Sequence, residues 1–292
     1  MKRKRDSVKS LIPSFAKDNI LKGVLFSKMV TSPICMIPNF IIIGGQRCGT
    51  TSLYNYIAQH PCVLPSFIKE VHYFDINFKK SIYWYRAHFP TFLSKFCVQK
   101  ICRHNVITGE ASPYYMFHPH TPKRVFSAIP EVKVIAILRN PVERAYSHYQ
   151  HEVRKGREPL SFEEAVGREE ERLTGEKEKM LQDEDYYSVS HHRYAYLTRG
   201  IYIEQLKAWR RYFDEDRMMV IKSEEFYGEP GAMVQRIFDF LALPAYDLKE
   251  YQKYNIGRYE KMPRKMRKEL VQYYQPYNKA LYDYLGVDFG WK

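Results

Sequence analysis

The sequence predicts an α/β protein in which helices cover both faces of a central parallel sheet. Three short apolar runs each lead into a helical segment within a few residues. Strands that alternate with helices in this way are typical of parallel sheets buried on both faces. At 292 residues and 45% hydrophobic content, the chain can bury one sizeable core.

Each strand–helix unit has its own sequence signal. Residues 39–44 (NFIIIG) form a continuous β-branched run, as expected of a buried strand, and residues 52–59 place apolar side chains on one side of a helix. The second strand, Lys133–Leu138, precedes Pro141, which suits the first position of a helix reaching about residue 153. The third unit consists of a strand at 217–222 and a helix at 231–241.

The remaining segments give weaker signals. Residues 71–74 and 106–109 are expected to be short strands. The charged segment 161–187 is interpreted as a helix followed by a mobile, solvated excursion. Residues 263–285 have helical spacing, and Pro276 should kink or divide that helix. We expect residues 1–38 to be an N-terminal extension and residues 39–292 to be a single domain.

The charge of the chain points to an anionic partner. The formal net charge is +13, with 46 Lys and Arg against 33 Asp and Glu. No helix-turn-helix, zinc-finger or RRM signature is present, and the basic residues are spread along the chain. An anionic ligand in a pocket is therefore favoured, and no nucleic acid is expected as a partner. A basic module that binds acidic glycan or nucleic acid remains an alternative.

The cysteines and the N-terminal sequence bear on location. Five cysteines are an odd number without paired spacing, which indicates free thiols in a reducing compartment, although Cys97 and Cys102 could form a disulfide. Charges interrupt any signal peptide near the N-terminus, and Lys28, Pro33 and Pro38 interrupt the apolar stretch 23–45, so no membrane span is expected. The sequence predicts a cytoplasmic protein.

A phosphate-binding loop is expected directly after the first strand. Glycines let consecutive backbone N–H groups point inward, and the following helix N-terminus adds partial positive charge. The alternative is an ordinary glycine turn with a threonine cap. The combination of strand, glycines, arginine and three hydroxyls favours phosphate binding. The predicted binding residues are Gly45, Gln46, Arg47, Cys48, Gly49, Thr50, Thr51 and Ser52.

The loop differs from that of a nucleotide triphosphatase. Such a loop has lysine after its last glycine, whereas Gly49 is followed by Thr50, and the nearest cation is Arg47. The strand ending at Leu138 continues into Arg139 and not into a metal-binding aspartate. We therefore expect a P-loop-like three-layer fold that binds a phosphorylated donor without a metal ion. A P-loop kinase of a small molecule stays open as an alternative.

A second anion site is expected where the second strand meets its helix. Ligands of open α/β sheets bind outside the carboxyl ends of the strands, which places Arg139 well for a phosphate contact. Ser147, two turns into the helix, is expected to point at the same ligand. Arg144 is interpreted as a partner in a surface salt bridge.

These segments resemble the sulfotransferases that use 3′-phosphoadenosine 5′-phosphosulfate (PAPS), most of all the heparan sulfate 3-O- and N-sulfotransferase branch and its bacterial relatives. GGQRCGTTSL (44–53) and LRNPVERAYSHY (138–149) are similar to its two signatures. KEVHYFD (69–75), WYRAHFP (84–90), RGIYIEQLKAW (199–209) and DFGW (288–291) follow in the family's order. The resemblance covers nearly the whole chain from residue 39.

The resemblance implies a role for each motif. The loop would bind the 5′-phosphosulfate, Arg139 and Ser147 the 3′-phosphate, and Tyr202, Gly257 and Arg258 would complete the nucleotide pocket. Glu70 would be the general base for an in-line, metal-independent attack by an acceptor hydroxyl, which requires burial to raise its pKa toward neutrality. His72 would join the catalytic group, and His72 and Asp75 would contact the acceptor, a carbohydrate or glycolipid or else a small non-glycan molecule.

Two positions depart from the family pattern. Arg47 stands where the relatives carry lysine, so its expected role is electrostatic stabilisation of the leaving phosphate. Ala111 replaces a lysine, which weakens the expectation of a heparan-like acceptor. The sequence leaves the acceptor's identity and the choice between O- and N-sulfation open.

Overall fold

A five-stranded parallel sheet forms the centre of the protein. The computed structural model describes residues 29–252, 254 and 259–291. The spatial order of the strands is β2-β3-β1-β4-β5, and all four neighbouring pairs run parallel. The strands are β1 (Phe40–Gly44), β2 (Val63–Pro65), β3 (Ile107–Ala111), β4 (Lys133–Leu138) and β5 (Met218–Lys222).

Helices cover both faces of this sheet. The α-helices are α1 (Thr50–Ile57), α2 (Ile82–Arg86), α3 (Phe92–Cys102), α4 (Thr121–Ala128), α5 (Pro141–Arg154), α6 (Phe162–Gly167), α7 (Glu169–Leu173), α8 (Glu176–Gln182), α9 (Val189–Arg193), α10 (Tyr202–Arg210), α11 (Ser223–Gly228), α12 (Pro230–Phe240) and α13 (Arg264–Leu285). Short 3₁₀ turns lie at Ser32–Ile34 and Thr198–Gly200.

Strand β1 shows why the sheet lies in the middle of the core. Its five residues are all buried, and their side chains alternate between the faces. Ile41 and Ile43 pack with residues of α10 and α13, whereas Phe40 and Ile42 pack with residues of α1 and α12. Because both faces are covered, the strand reads as an uninterrupted apolar run.

The predicted three-layer α/β architecture is confirmed, and the three strand–helix units are present with ends shifted by one or two residues. The expected strand at 106–109 is β3, which begins at Ile107 and ends at Ala111. Strand β2 was missed, because its three residues end in a proline and carry no periodic signal of their own.

The expected strand at 71–74 is wrong. Glu70 and His72 have φ values of 63° and 53°, which a strand does not contain. The backbone N–H of His72 donates to Ser112 Oγ, and those of Tyr73 and Phe74 donate to the Tyr115 hydroxyl. Side chains of the segment after β3 thus replace the hydrogen bonds that a neighbouring strand would supply.

Two further expectations about helices need correction. The charged segment 161–187 folds into α6, α7 and α8, and it buries Glu169 and Met180 instead of being solvated throughout. Helix α13 continues past Pro276 and is not divided there. Leu270, Tyr274 and Leu281 of α13 are buried, so packing of its apolar face outweighs the local preference against proline.

The segment before β1 also joins the fold. Cys35 and Met36 are buried, and the backbone N–H of Met36 donates to Pro90 O at 2.8 Å. The proposed division into an extension (1–38) and one domain (39–292) stays a prediction.

Candidate active site

A cavity of about 700 Å³ opens at the carboxyl ends of β1, β4 and β5. The loop after β1, Arg139 after β4 and Ser223 after β5 all line it. In a parallel sheet these strand ends meet at one edge, where ligands of open α/β folds bind. The cavity therefore lies where the sequence places its phosphate-binding residues.

The loop between β1 and α1 is held in a tight curve. The backbone N–H of Gly45 donates to Ile137 O at 2.6 Å, and Ser223 Oγ donates to Cys48 O at 2.7 Å. Gly49 has a φ of 109°, and a Cβ there would lie 2.7 Å from the Tyr227 hydroxyl oxygen. Only glycine fits this position without strain, so the loop presents its backbone and the N-terminus of α1 to the cavity.

Two arginines and a serine connect the two expected anion sites. Arg47 Nε donates to Ser147 Oγ at 3.2 Å, and Arg139 Nη1 donates to Arg47 O at 3.4 Å. Residues 100 positions apart, one in the loop and one on α5, thus meet at one point of the cavity. A smaller recess of about 150 Å³ also has Arg47 and Ser147 in its wall.

This part of the cavity is strongly positive. Burial lowers the pKa of Arg47, and neighbouring Arg154 and Arg139 lower it further against the effect of Tyr259. His151 has its pKa lowered to about 4 by burial and then by Lys155 and Arg47. No described carboxylate lies within salt-bridge distance of Arg47, Arg139 or Lys155. The uncompensated charge indicates a site for a multiply charged anion.

Glu70 lies on the same cavity, next to His72 and Asp75. Its backbone N–H donates to Ala111 O at 3.1 Å, which anchors it at the end of β3. His72 Nδ1 lies 2.8 Å from Asp75 Oδ2, and His72 Nε2 lies 3.7 Å from Glu70 Oε2. Lys69 forms an ion pair with Glu70. The three residues assigned to the acceptor side are therefore adjacent, although only Glu70 reaches the cavity wall.

The charge state of Glu70 differs from the sequence expectation. Burial by itself would raise its pKa, but the hydrogen bond and charge of His72 and the ion pair with Lys69 outweigh burial and lower the pKa to about 2. The carboxylate is 43% exposed at the side chain and remains ionised at neutral pH. The expected rise toward neutrality is wrong, because the sequence did not show that two cations surround this group.

Glu110 was missed by the sequence reasoning. It is fully buried on β3 and accepts hydrogen bonds from the hydroxyls of Tyr85 (2.6 Å), Tyr115 (3.0 Å) and Ser112 (2.8 Å). Because Ser112 and Tyr115 in turn bind the backbone of residues 72–74, Glu110 organises the segment that carries His72 and Asp75. The only available signal was an acidic residue directly after the strand expected at 106–109.

The structure places most of the predicted loop residues on the cavity wall. The predicted residues that line it are Gln46, Arg47, Cys48, Gly49, Thr50, Thr51, Glu70, Arg139 and Ser147. Gly45, Ser52, His72, Asp75 and Tyr202 are not part of the wall. Gly257 and Arg258 lie outside the described residues.

Ser52 and Tyr202 support the wall from behind. Ser52 is buried, and its Oγ accepts hydrogen bonds from the Tyr227 hydroxyl at 3.0 Å and the Tyr254 backbone N–H at 3.1 Å. The buried Tyr202 hydroxyl donates to Arg139 O at 2.9 Å and lies 3.7 Å from Cys48 Sγ. Tyr202 therefore links the loop after β1 to the end of β4, and its expected contact with the nucleotide stays a prediction.

The other wall residues come from segments to which the sequence gave no role. Ser223 begins the helix after β5 and lies at the carboxyl end of that strand, as Arg139 lies at the end of β4. The rule that identified Arg139 therefore also applies to Ser223. Tyrosines beyond α11 have no comparable signal. The wall residues that were not predicted are Pro113, His151, Lys155, Ser223, Glu224, Tyr227, Gly228, Tyr254 and Tyr259.

Arg144 is not a surface residue. It is completely buried on α5, and its guanidinium donates to Tyr196 O without a described carboxylate in salt-bridge range. Arg199 is buried as well, and it donates to Gln46 Oε1 of the phosphate loop. Burial lowers the pKa of Arg199 to about 10. The expected surface salt bridge is wrong, because α5 is covered by the 3₁₀ turn at Thr198–Gly200 and by α13.

The described residues contain no group of three or more His, Cys, Asp or Glu side chains arranged to hold a metal ion. Within the same part of the chain, none of the helices combines the length and apolar character of a membrane span.

Comparisons with known proteins agree with this geometry. A profile described as the sulfotransferase domain matches residues 38–277. The chain is 25% identical to the membrane-associated sulfotransferase kil1 of Dictyostelium discoideum, with 90% of this chain and 68% of that protein covered. It is 26% identical to heparan sulfate glucosamine 3-O-sulfotransferase 3B1 of Mus musculus, with 87% of this chain and 65% of that protein covered.

A solved structure is also similar. The crystal structure of a sulfotransferase from Alicyclobacillus acidocaldarius superposes with a TM-score of 0.67 and 30% sequence identity. The match covers 87% of this chain and 98% of that chain. The shared fold thus extends over nearly the whole of the bacterial protein.

Proposed function

The chain belongs to the sulfotransferase domain family, and from that premise we propose that it transfers a sulfuryl group from PAPS to a hydroxyl of a carbohydrate or glycolipid. One observation carries the choice of donor. Arg47 of the loop after β1 meets Ser147 of α5 beside Arg139, so one cavity combines the two surfaces for which phosphate binding is proposed. PAPS has phosphate groups on both its 5′ and 3′ sides, which matches this pairing.

The residues of the cavity suit the two ends of such a donor. The curved loop and the N-terminus of α1 supply backbone N–H groups for the 5′-phosphosulfate. Arg139 and Ser147 supply a cation and a hydroxyl for the 3′-phosphate. Tyr227, Tyr254 and Tyr259 line the same cavity and offer aromatic surface for the base.

Glu70 and Arg47 would act on opposite sides of the transferred group. The acceptor oxygen attacks sulfur while the bond between sulfur and the 5′-phosphate oxygen breaks, and Glu70 accepts the hydroxyl proton. A carboxylate with a pKa near 2 is a weak base, but the hydroxyl becomes acidic as the new bond forms. Arg47 stabilises the charge that returns to the leaving phosphate, and protonated His72 holds the Glu70 side chain.

Donor binding is tested with the product 3′-phosphoadenosine 5′-phosphate (PAP) by isothermal titration calorimetry in the presence of EDTA. Wild-type protein is expected to bind PAP, and Arg139→Ala should weaken binding by about 10- to 100-fold, since a hydrogen bond to a charged group contributes about 1.5–3 kcal/mol. The control Arg217→Ala removes an arginine that pairs with Glu131. Binding of ATP with Mg²⁺, and none of PAP, would replace this proposal with a kinase.

The transfer step is tested with labelled PAPS and a panel of glycans, glycolipids and small alcohols. Glu70→Gln should retain PAP affinity and reduce turnover by at least 100-fold, because an amide cannot accept the proton. Glu225→Gln is the matched control, since Glu225 also pairs with a lysine and is half exposed. Full turnover of Glu70→Gln would exclude Glu70 as the base.

We also propose a cytoplasmic location, as the sequence suggested. The five cysteines are free thiols in the structure, which suits a reducing compartment. Cys97 and Cys102 lie five residues apart on α3 and therefore point in different directions around the helix.

A further inference from the structure

Helix α3 has an unusual surface for a helix of a folded protein. None of its 11 residues is buried, although Phe92, Leu93, Phe96 and Ile101 are large and apolar. Leu93 is 69% exposed and Ile101 is 82% exposed. A helix that packs on a core normally turns its apolar side chains inward, so these residues are arranged for contact with something outside the fold.

The orientation of α3 follows from its few inward contacts. Val98 and Cys102 are the α3 residues that pack against the core cluster of α1 and α12. At about 100° per residue, the opposite side of the helix carries Leu93, Phe96 and Lys100. The large apolar side chains therefore point away from the body of the protein.

Neighbouring segments enlarge this apolar area. Cys35 pairs with Thr91, the residue that caps α3, so Val30 and Ile34 enter the fold beside the start of the helix. Both are exposed. Of the 21 exposed large hydrophobic residues in the described part of the chain, ten lie in residues 29–34 and 76–101. We call Val30, Ile34, Phe92, Leu93, Phe96 and Ile101 the α3 surface.

The ionisable side chains of the segment that carries α3 are basic. Between Asp75 and Glu110 the sequence contains six Lys or Arg and no acidic residue. Lys100 lies 4.4 Å from the centre of the Phe96 ring, so cations and apolar groups are interleaved. Lys95, Lys100 and Arg103 form no salt bridge with any described carboxylate. An occupant of this surface must therefore supply both apolar contact and negative charge.

We propose that the α3 surface docks the protein onto a lipid bilayer that contains anionic headgroups. Apolar side chains projecting beside lysine and arginine are the chemistry of helices that lie in a membrane interface. A second copy of the chain fits poorly, because a two-fold contact would place the same basic surface against itself. The N-terminal 28 residues also fit poorly, since they carry eight Lys or Arg and only two Asp.

The test measures sedimentation of the full chain with vesicles of phosphatidylcholine, with and without phosphatidylserine. Wild-type protein is expected to bind the phosphatidylserine vesicles more tightly, and added salt should weaken binding. Leu93→Ser/Ile101→Ser should reduce the affinity at least tenfold. Lys100→Glu/Arg103→Glu should also reduce it more than tenfold, since each basic residue contributes about fivefold.

Matched controls separate the α3 surface from general effects. Leu181→Ser/Val287→Ser removes similarly exposed apolar residues elsewhere, and Lys123→Glu/Lys249→Glu reverses exposed charges elsewhere. These variants should bind vesicles as the wild type does. Retained PAP binding by the α3 variants shows that the fold is intact, and it is read independently of the vesicles.

Three outcomes would overturn the proposal. Equal vesicle binding by wild type and both α3 variants would place any membrane contact elsewhere, such as in residues 1–28. Loss of vesicle binding by Lys100→Glu/Arg103→Glu, with none by Leu93→Ser/Ile101→Ser, would show attraction by charge alone and no docking of the apolar side chains. A dimer in light scattering that Leu93→Ser/Ile101→Ser converts to a monomer, without wild-type vesicle binding, would identify a second copy as the occupant.

Discussion

At the scale of single residues, the charge of His72 is the most distinctive feature of the site. Burial would lower its pKa, but Asp75 at 2.8 Å and Glu70 at 3.7 Å raise the pKa to about 10. The ring is therefore an imidazolium at neutral pH, and it holds the Glu70 carboxylate ionised in return. This pair of opposite shifts gives the site a fixed pattern of charge before any ligand binds.

Nuclear magnetic resonance of ¹⁵N-labelled histidine should show His72 still protonated at pH 8. Asp75→Asn is expected to bring its pKa down toward the ordinary value near 6.5, since the strongest stabilising partner is removed. A His72→Gln variant assigns the signal. Titration of wild-type His72 near pH 6.5 would contradict the ion pairs described here.

The shifted pKa values of His72 and Glu70 make the stability of the fold depend on pH in opposite directions. Because the folded-state pKa of His72 is raised, its contribution to folding is complete below about pH 6.5 and is lost as the pH rises through about 10. For Glu70 the folded-state pKa is lowered, so its contribution is present above about pH 4.5 and is lost as the pH falls through about 2.

At the scale of elements, strand β3 shapes the acceptor side of the cavity. Its buried Glu110 accepts three hydrogen bonds from hydroxyl groups, two of them from Ser112 and Tyr115. These two hydroxyls in turn accept hydrogen bonds from the backbone of residues 72–74 and hold that segment in place. Burial raises the pKa of Glu110, and the three hydrogen bonds offset only part of that rise. Glu110 is thus a positioning residue, because it acts through other side chains.

Glu110→Gln should lower kcat about tenfold or more while leaving PAP affinity unchanged. The amide nitrogen of glutamine cannot accept a hydrogen bond from a hydroxyl, as the carboxylate oxygen that it replaces does. Ser112 and the segment around His72 therefore lose their alignment. Steady-state kinetics and calorimetry measure the two effects. Ser112→Ala, which removes the link itself, should reproduce the loss of turnover.

The control for Glu110 is another buried carboxyl. Glu169 is also buried with a raised pKa, and it binds the backbone N–H groups of Leu197 and Thr198. Glu169→Gln should cost stability, about 1–3 kcal/mol, and spare kcat per folded molecule. Equal effects of the two variants on kcat would show that Glu110 has only a structural role and does not position the acceptor side.

At the scale of the whole molecule, buried and half-buried neutral histidines make the fold sensitive to acid. His118 and His151 have pKa values lowered to about 3 and about 4, and those of His191 and His192 are lowered to about 2, in each case first by burial. The pKa of His148 is also lowered by burial and by nearby arginines. His72, Glu110 and Glu169, with raised pKa values, act in the opposite sense but are fewer.

The urea midpoint for unfolding should therefore fall as the pH is lowered from 7 to 5. The unfolded chain binds protons near pH 6.5, whereas the folded histidines stay neutral until lower pH, so each contributes up to about 1.4 kcal/mol per pH unit. His148→Asn should flatten this dependence, because it removes a buried histidine whose pKa is lowered. A midpoint that stays constant over this range would show that these histidines do not titrate as described.

Much of the fold followed from local patterns. The buried strands β1 and β4 and their helices were predicted because a continuous apolar run followed by helical spacing has few other solutions. The segment at 71–74 was misread for a physical reason, since its backbone hydrogen bonds go to Ser112 and Tyr115, some 40 residues away. Helix α13 continues through Pro276 because elements distant in the sequence cover its apolar face.

The sequence by itself determined the strands β1, β4 and β5 with the helices that follow them, the glycine-rich loop after β1 and the position of Arg139 at a strand end. These depend on near neighbours in the chain. Only the tertiary structure decided that Arg47 meets Ser147, that Tyr202 lies behind the wall, and that Glu70 is paired with cations and not raised in pKa. Burial and charge at one point in space are sums over residues from many segments, and no local pattern contains them.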